Sequence, residues 1–152
     1  MAKTILQSAK VSAPGGIMSQ GVEVPAGKMV FVSGQVARDL DGSVVGVGDV
    51  SAQTRKVLQN MQSVLAESGA TLDDAVKVTV FVTNLARHFA ATHTLRAQLF
   101  PSASPPSPML DVTAPLHVPL PLALDPIAVL PSPPPDPQPP PPTSHTHPLT
   151  GR

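Results

Sequence analysis

The stretch VKVTVFV, Val76 to Val82, decides the reading of the fold. Side chains alternate across an extended chain, so Val76, Val78, Val80 and Val82 share one face and Lys77, Thr79 and Phe81 the other. Its β-branched content and length make it a long strand. Immediately before it, Thr71-Leu72-Asp73-Asp74 has the form of a one-turn capping box. Further upstream, Val57, Leu58, Met61, Val64 and Leu65 recur at three- and four-residue spacing. That periodicity predicts a helix, capped by Asp49 or Ser51 and stopped by a left-handed Gly69. Upstream again, KMVFVSGQ (Lys28 to Gln35) is a second strand, with Met29 and Phe31 on one face, Val30 and Val32 on the other, and both faces buried. Between it and the helix, Asp41-Gly42 flanked by Leu40 and Val44-Val45 marks a hairpin excursion.

Downstream, Thr83 or Asn84 opens a second helix with Leu85, Phe89, Ala90, His93, Leu99 and Phe100 on one side. The order strand, hairpin, helix, strand, helix suits two helices packed on one face of a sheet. The opposite sheet face still carries apolar side chains, and a chain this short has no third layer to cover it. Another subunit is the expected cover.

Composition narrows the function classes. The 152 residues have zero net charge and include no cysteine, so there is no electrostatic footprint for nucleic acid or anionic membrane and no thiolate chemistry. The opening MAKTILQSAK lacks a signal-type apolar run, and nothing approaches the roughly 20 apolar residues of a membrane span. A soluble, cytoplasmic protein is expected. The averages conceal a split: nine of the ten Lys and Arg residues lie at or before Arg96, and eighteen of the twenty prolines at or after Pro101.

The run from Phe31 to Leu85, with its SGQ strand end, QTRKVLQNM helix, GATLDD turn and KVTVFVT strand, closely resembles the RidA family, also called YjgF. The likeness is strong over 30–100 and weak over 101–131, through Pro105-Pro106 and Ile127-Ala128-Val129-Leu130-Pro131. It implies an α+β, chorismate-mutase-like subunit spanning 1–131, three of which form a homotrimer with small-molecule clefts between neighbours. The activity it implies is hydrolysis of reactive 2-imino and enamine acids to 2-oxo acids and ammonia, with no metal or cofactor.

In such a site an arginine grips the substrate carboxylate, backbone around the SGQ strand end contacts the ligand, and a glutamate on the last strand positions water. Ser33 and Gly34 are retained. The aromatic of the early glycine-rich loop falls on Met18, and the helix asparagine on His93. These four are the candidate substrate-binding residues. The arginine falls at or near Pro108, and the glutamate on Ala123 or Leu124, with Asp125 just beyond. Arg38, Arg87 and Arg96 are the cations near enough in sequence to replace the missing one. Losing the arginine and the glutamate weakens or alters the deaminase. The alternative is a non-catalytic, small-metabolite-binding or scaffold member of the family.

Simpler roles compete at each position. Ser33 has no His or Asp relay and reads as a ligand or backbone contact rather than a nucleophile. His93 shares a helical stripe with Phe89 and reads first as a packed histidine. Met18 reads as a cleft wall. His145-x-His147 lacks further ligands for a metal. Two closing strands, about 109–116 and 120–130, contain or adjoin Pro115, Pro119, Pro121 and Pro126, so they are expected to be short, at an edge, or broken, leaving an incomplete sheet. Residues 132–152 are expected to be a disordered, proline-rich tail.

Overall fold

The computed structural model describes residues 3–14, 18–100, 105–113 and 119–132, the side chains of 95, 98 and 99 excepted. A short antiparallel pair, β1 (Thr4–Leu6) and β2 (Gly21–Glu23), stands beside the main sheet. The main sheet contains β3 (Gly27–Phe31), β4 (Ala75–Val82), β5 (Met109–Asp111) and β6 (Leu122–Pro131) in the order β3-β6-β4-β5. β6 runs antiparallel to both of its neighbours, and β5 is parallel to β4. Helices α1 (Val50–Ala66) and α2 (Leu85–Leu99) lie on one face. The result is the chorismate-mutase-like α+β architecture that the resemblance implied.

The valine alternation of β4 sets the core. Val78, Val80 and Val82 are fully buried and join Leu122 and Leu124 of β6 under Leu58, Met61 and Leu65 of α1. The expected caps form: Asp49 Oδ1 accepts from the Ser51 and Ala52 amides at 2.9 and 3.0 Å, and Gly69 takes φ +78°. Removing that carboxylate in Asp49→Ala leaves two first-turn amides without an acceptor. It is expected to cost about 1 kcal/mol, measured as a lower denaturant midpoint with unchanged slope. The Asp41-Gly42 turn forms as expected, with Gly42 at φ +82° between bridged Arg38 and Val44.

Three expectations need correction. Within one chain KMVFVSGQ does not bury both faces. Val32 is 4% exposed, but Met29 and Phe31 are 56% and 69% exposed, because both helices cover the opposite side. The second helix buries its expected stripe only at the ends: Leu85 packs against the core and Phe100 is buried. Phe89 is exposed, and the side chains buried from α2 include Thr92 and Arg96, four residues apart and therefore on one face. Third, proline does not break the last strand. β5 is short and at an edge, but β6 runs for 10 residues in the sheet interior, through Pro126.

The reason lies in the opposing strand. Phe31 pairs with Ile127, and pairing resumes at Gln35 and Leu124, so residues 32–34 face only 125 and 126: a bulge. Pro126 directs its backbone toward that bulge, where its carbonyl accepts from the Val32 amide at 3.2 Å. The ladder is already interrupted there, so the missing N–H leaves no regular bond unmade. Of the expected tail, all but Ser132 lies outside the described residues, as do residues 114–116 of the first closing strand.

Candidate functional site

The strand register determines which side chains share the uncovered face. Phe31 pairs with Ile127, Phe81 with both Ala123 and Leu110, and Thr79 with Asp125. All of these therefore project away from the helices. At one end of this face, where β3 bulges and the chain leaves β4 at Thr83, lies a cavity of about 430 Å³ lined by Gly34, Phe81, Thr83, Leu120, Ala123 and Asp125, among others. The Thr83 amide donates to the Pro121 carbonyl at 2.8 Å and ties the end of β4 to the start of β6. Asp125 is half-buried, and its carboxylate has no hydrogen-bond or ion-pair partner among the described residues.

Gly34 lines this cavity, and a Cβ built on it would meet nothing within 4 Å, so the wall there is open. Ser33 is exposed on the same bulge, and its carbonyl accepts from Gln35 Nε2 at 3.0 Å. Met18 is half-buried in the segment before β2 and does not line the cavity. His93 sits on α2, on the far side of the sheet, with its ring stacked on Phe89 at 5.0 Å between centroids. Its buried Nδ1 has no partner among the described residues. Within one chain, then, the structure brings Gly34 and Asp125 together beside Ser33, and leaves Met18 and His93 elsewhere. In the sequence Phe81 and Thr83 have only structural places, a strand face and a helix start, and not a place in the site. The alternation of β4 did place Phe81 opposite the valines, but only the register showed what it faces.

No candidate cation lines the cavity. The segment before β5 already runs alongside β4, with the Val78 and Val80 amides donating to the Pro106 and Pro108 carbonyls at 3.1 and 3.0 Å. Alternation therefore sends Pro108 to the uncovered face with Leu110, and Ser107 toward the helices. Arg96 is beneath Ser107, 3% exposed, with Nη1 3.4 Å from the Ser107 carbonyl. Burial pushes its guanidinium below its ordinary value. It thus approaches the chain next to Pro108 from the wrong side of the sheet. Arg38 Nη1 donates to the Gly42 carbonyl at 2.6 Å, and Arg87 lines, with Asp49 and His88, an adjoining hollow that shares Thr83, Leu120 and Pro121 with the cavity.

Comparison with known proteins agrees with this architecture. The sequence profile of the family described as endoribonuclease L-PSP matches residues 10–118. A RutC family protein of Pyrococcus abyssi is 34% identical over 113 residues, covering 74% of this chain and 87% of the relative. Protein DfrA of Myxococcus xanthus is 36% identical over 114 residues, covering 75% and 86%. Among solved structures, YyfB of Yersinia pestis, described as a protein of unknown function of the conserved Rid family, superposes with a TM-score of 0.77 at 28% identity, covering 86% of this chain and all of its own. Yeast Mmf1 superposes with a TM-score of 0.63 at 32% identity, covering 84% of this chain and 98% of its own. On the shared sheet, helices and sequence, this chain belongs to the endoribonuclease L-PSP family, the RidA/YjgF proteins.

Proposed function

We propose that this protein is a cytoplasmic homotrimer that binds a small imine or carbonyl metabolite in clefts between subunits. On this reading it is a weakened or altered RidA-type deaminase of 2-imino and enamine acids. The observation that carries the proposal is the cavity bounded by Gly34 and Asp125, opening on a sheet face whose apolar side chains no helix covers. Met29, Phe31 and Leu110 are 56%, 69% and 45% exposed in the single chain, a patch of the kind that marks an association surface. Burying it against two further copies would enclose the cavity, and the family resemblance makes Met18 and His93 of a neighbour the residues expected to face Ser33 and Gly34. Among the described residues, no helix is long and apolar enough to cross a membrane.

The chemistry is a hydrolysis. Water adds to the imine carbon to give a carbinolamine, the carbon–nitrogen bond breaks as the carbonyl forms, and nitrogen leaves as ammonia, having taken both protons of the water. On this reading the Asp125 carboxylate accepts a hydrogen bond from that water, a role the resemblance assigned to a glutamate that here falls on Ala123 or Leu124. A single carboxylate and no cation on the cavity wall is the wrong charge for a nucleic-acid phosphate, and this favours a small metabolite over RNA.

The test generates 2-iminopropanoate with an amino-acid oxidase, traps it with semicarbazide, and adds the protein at micromolar concentration. Competition with trapping supports the deaminase. Absence of competition in a trimer leaves the second reading, a non-catalytic ligand binder, which the lack of a lining arginine favours. A monomer by size exclusion with light scattering removes both.

A further inference from the structure

We infer, on the reading that this cavity holds the ligand, that it selects neutral or cationic ligands over carboxylates, with Asp125 as the selecting residue. Asp125 is the only charged side chain among the described residues that line the cavity. The rest of the wall is mostly apolar, with Thr83 its other polar side chain. The Asp125 carboxylate is half-buried and unpaired among the described residues, so its charge is available to a ligand.

No described cation lines this wall. Arg96 lies across the sheet under Ser107. Arg38, which donates to the Gly42 carbonyl, and Arg87 line neighbouring hollows that share Gly34 and Thr83, respectively, with this cavity, and neither side chain is on its lining. Lys77 shares the uncovered face, two residues along β4 from the Thr79 that pairs with Asp125, but it lines another hollow with Met29 and Val129. At an effective dielectric of about 20, a second anion placed one small-molecule length from Asp125 loses roughly tenfold or more in affinity, and an ammonium or iminium gains as much. The ligand class this wall fits is a small carbonyl or imine compound bearing an amine, or no charge at all. The 2-imino acids, which carry a carboxylate, are therefore poor ligands here, and the deaminase is altered toward uncharged or cationic imines. An arginine-bearing cleft would have the opposite preference.

Three probes of nearly equal size separate the cases: aminoacetone as cation, pyruvamide as neutral, and pyruvate as anion. Each is titrated into the full-length protein while the Gly34 and Thr83 amide resonances are followed. Aminoacetone is expected to bind best and pyruvate worst, with about tenfold or more between the extremes. Asp125→Asn should bring aminoacetone to the level of pyruvamide and strengthen pyruvate. Asp125→Ser, checked for native circular dichroism, repeats the test should the first variant fold poorly. Pyruvate binding as well as aminoacetone to the unmodified protein, or a cation preference that survives both substitutions, overturns the inference while leaving the ligand site intact. If no probe moves Gly34 or Thr83, the cavity is not the ligand site and both readings fall together.

Discussion

Pro108→Arg is expected to raise affinity for 2-oxo acids, and turnover of 2-imino acids at low substrate, by roughly tenfold to a hundredfold, the worth of one charge-assisted hydrogen-bond pair. Pro108 is exposed and lies on the same face as Leu110 and Phe81, so a guanidinium there projects toward the uncovered side of the sheet. The backbone accepts the change. The Pro108 carbonyl already receives the Val80 amide, and the Pro106 carbonyl the Val78 amide, so the new N–H faces the Val78 carbonyl between them. In the probe titration the same substitution should move pyruvate from worst to best. Semicarbazide competition and the titration together check the expectation. A well-folded trimer in which Pro108→Arg changes neither would show that the substrate grip was never at this position.

Phe31→Asp is expected to convert the trimer to monomers and abolish the cleft. Phe31 is 69% exposed in the single chain, so the folded subunit loses little, whereas at a buried interface three symmetry-related carboxylates would be desolvated together without partners. Light scattering should give the subunit mass of 15.7 kDa. Circular dichroism should stay native, and any imine hydrolysis should disappear with the assembly. An intact trimer carrying Phe31→Asp would mean that this face is not the association surface.

Much of the local structure was legible because it depends on neighbours in sequence. The parity of Val78, Val80 and Val82, the spacing of Leu58, Met61 and Leu65, and the caps at Asp49 and Gly69 all follow from the pleat, the helical turn and backbone sterics. The misreadings concern partners. Met29 and Phe31 look like core by composition, and their exposure follows from the side the helices chose. Pro126 looks like a strand breaker, and it is tolerated because a bulge 94 to 92 residues earlier in the chain, at 32–34, happens to face it. The stripe expected inward on α2 holds at Leu85 and Phe100 but not at Phe89, and the helix also buries Thr92 and Arg96, whose polarity hid them from a hydrophobic pattern.

The site divides in the same way. The retained Ser33 and Gly34, and the absence of an arginine anywhere between Arg96 and Arg152, are facts of the chain itself. That Asp125 meets Gly34, Phe81 and Thr83 around one cavity, and that Arg96 ends beneath Ser107 on the opposite side, was decided only when β6 inserted between β3 and β4. Periodicity needs only adjacent residues, so the linear order was enough to specify strands, helices and their apolar edges. Register and sidedness arise from pairing between segments far apart in the chain, and a shift of one residue there would send every side chain to the other face.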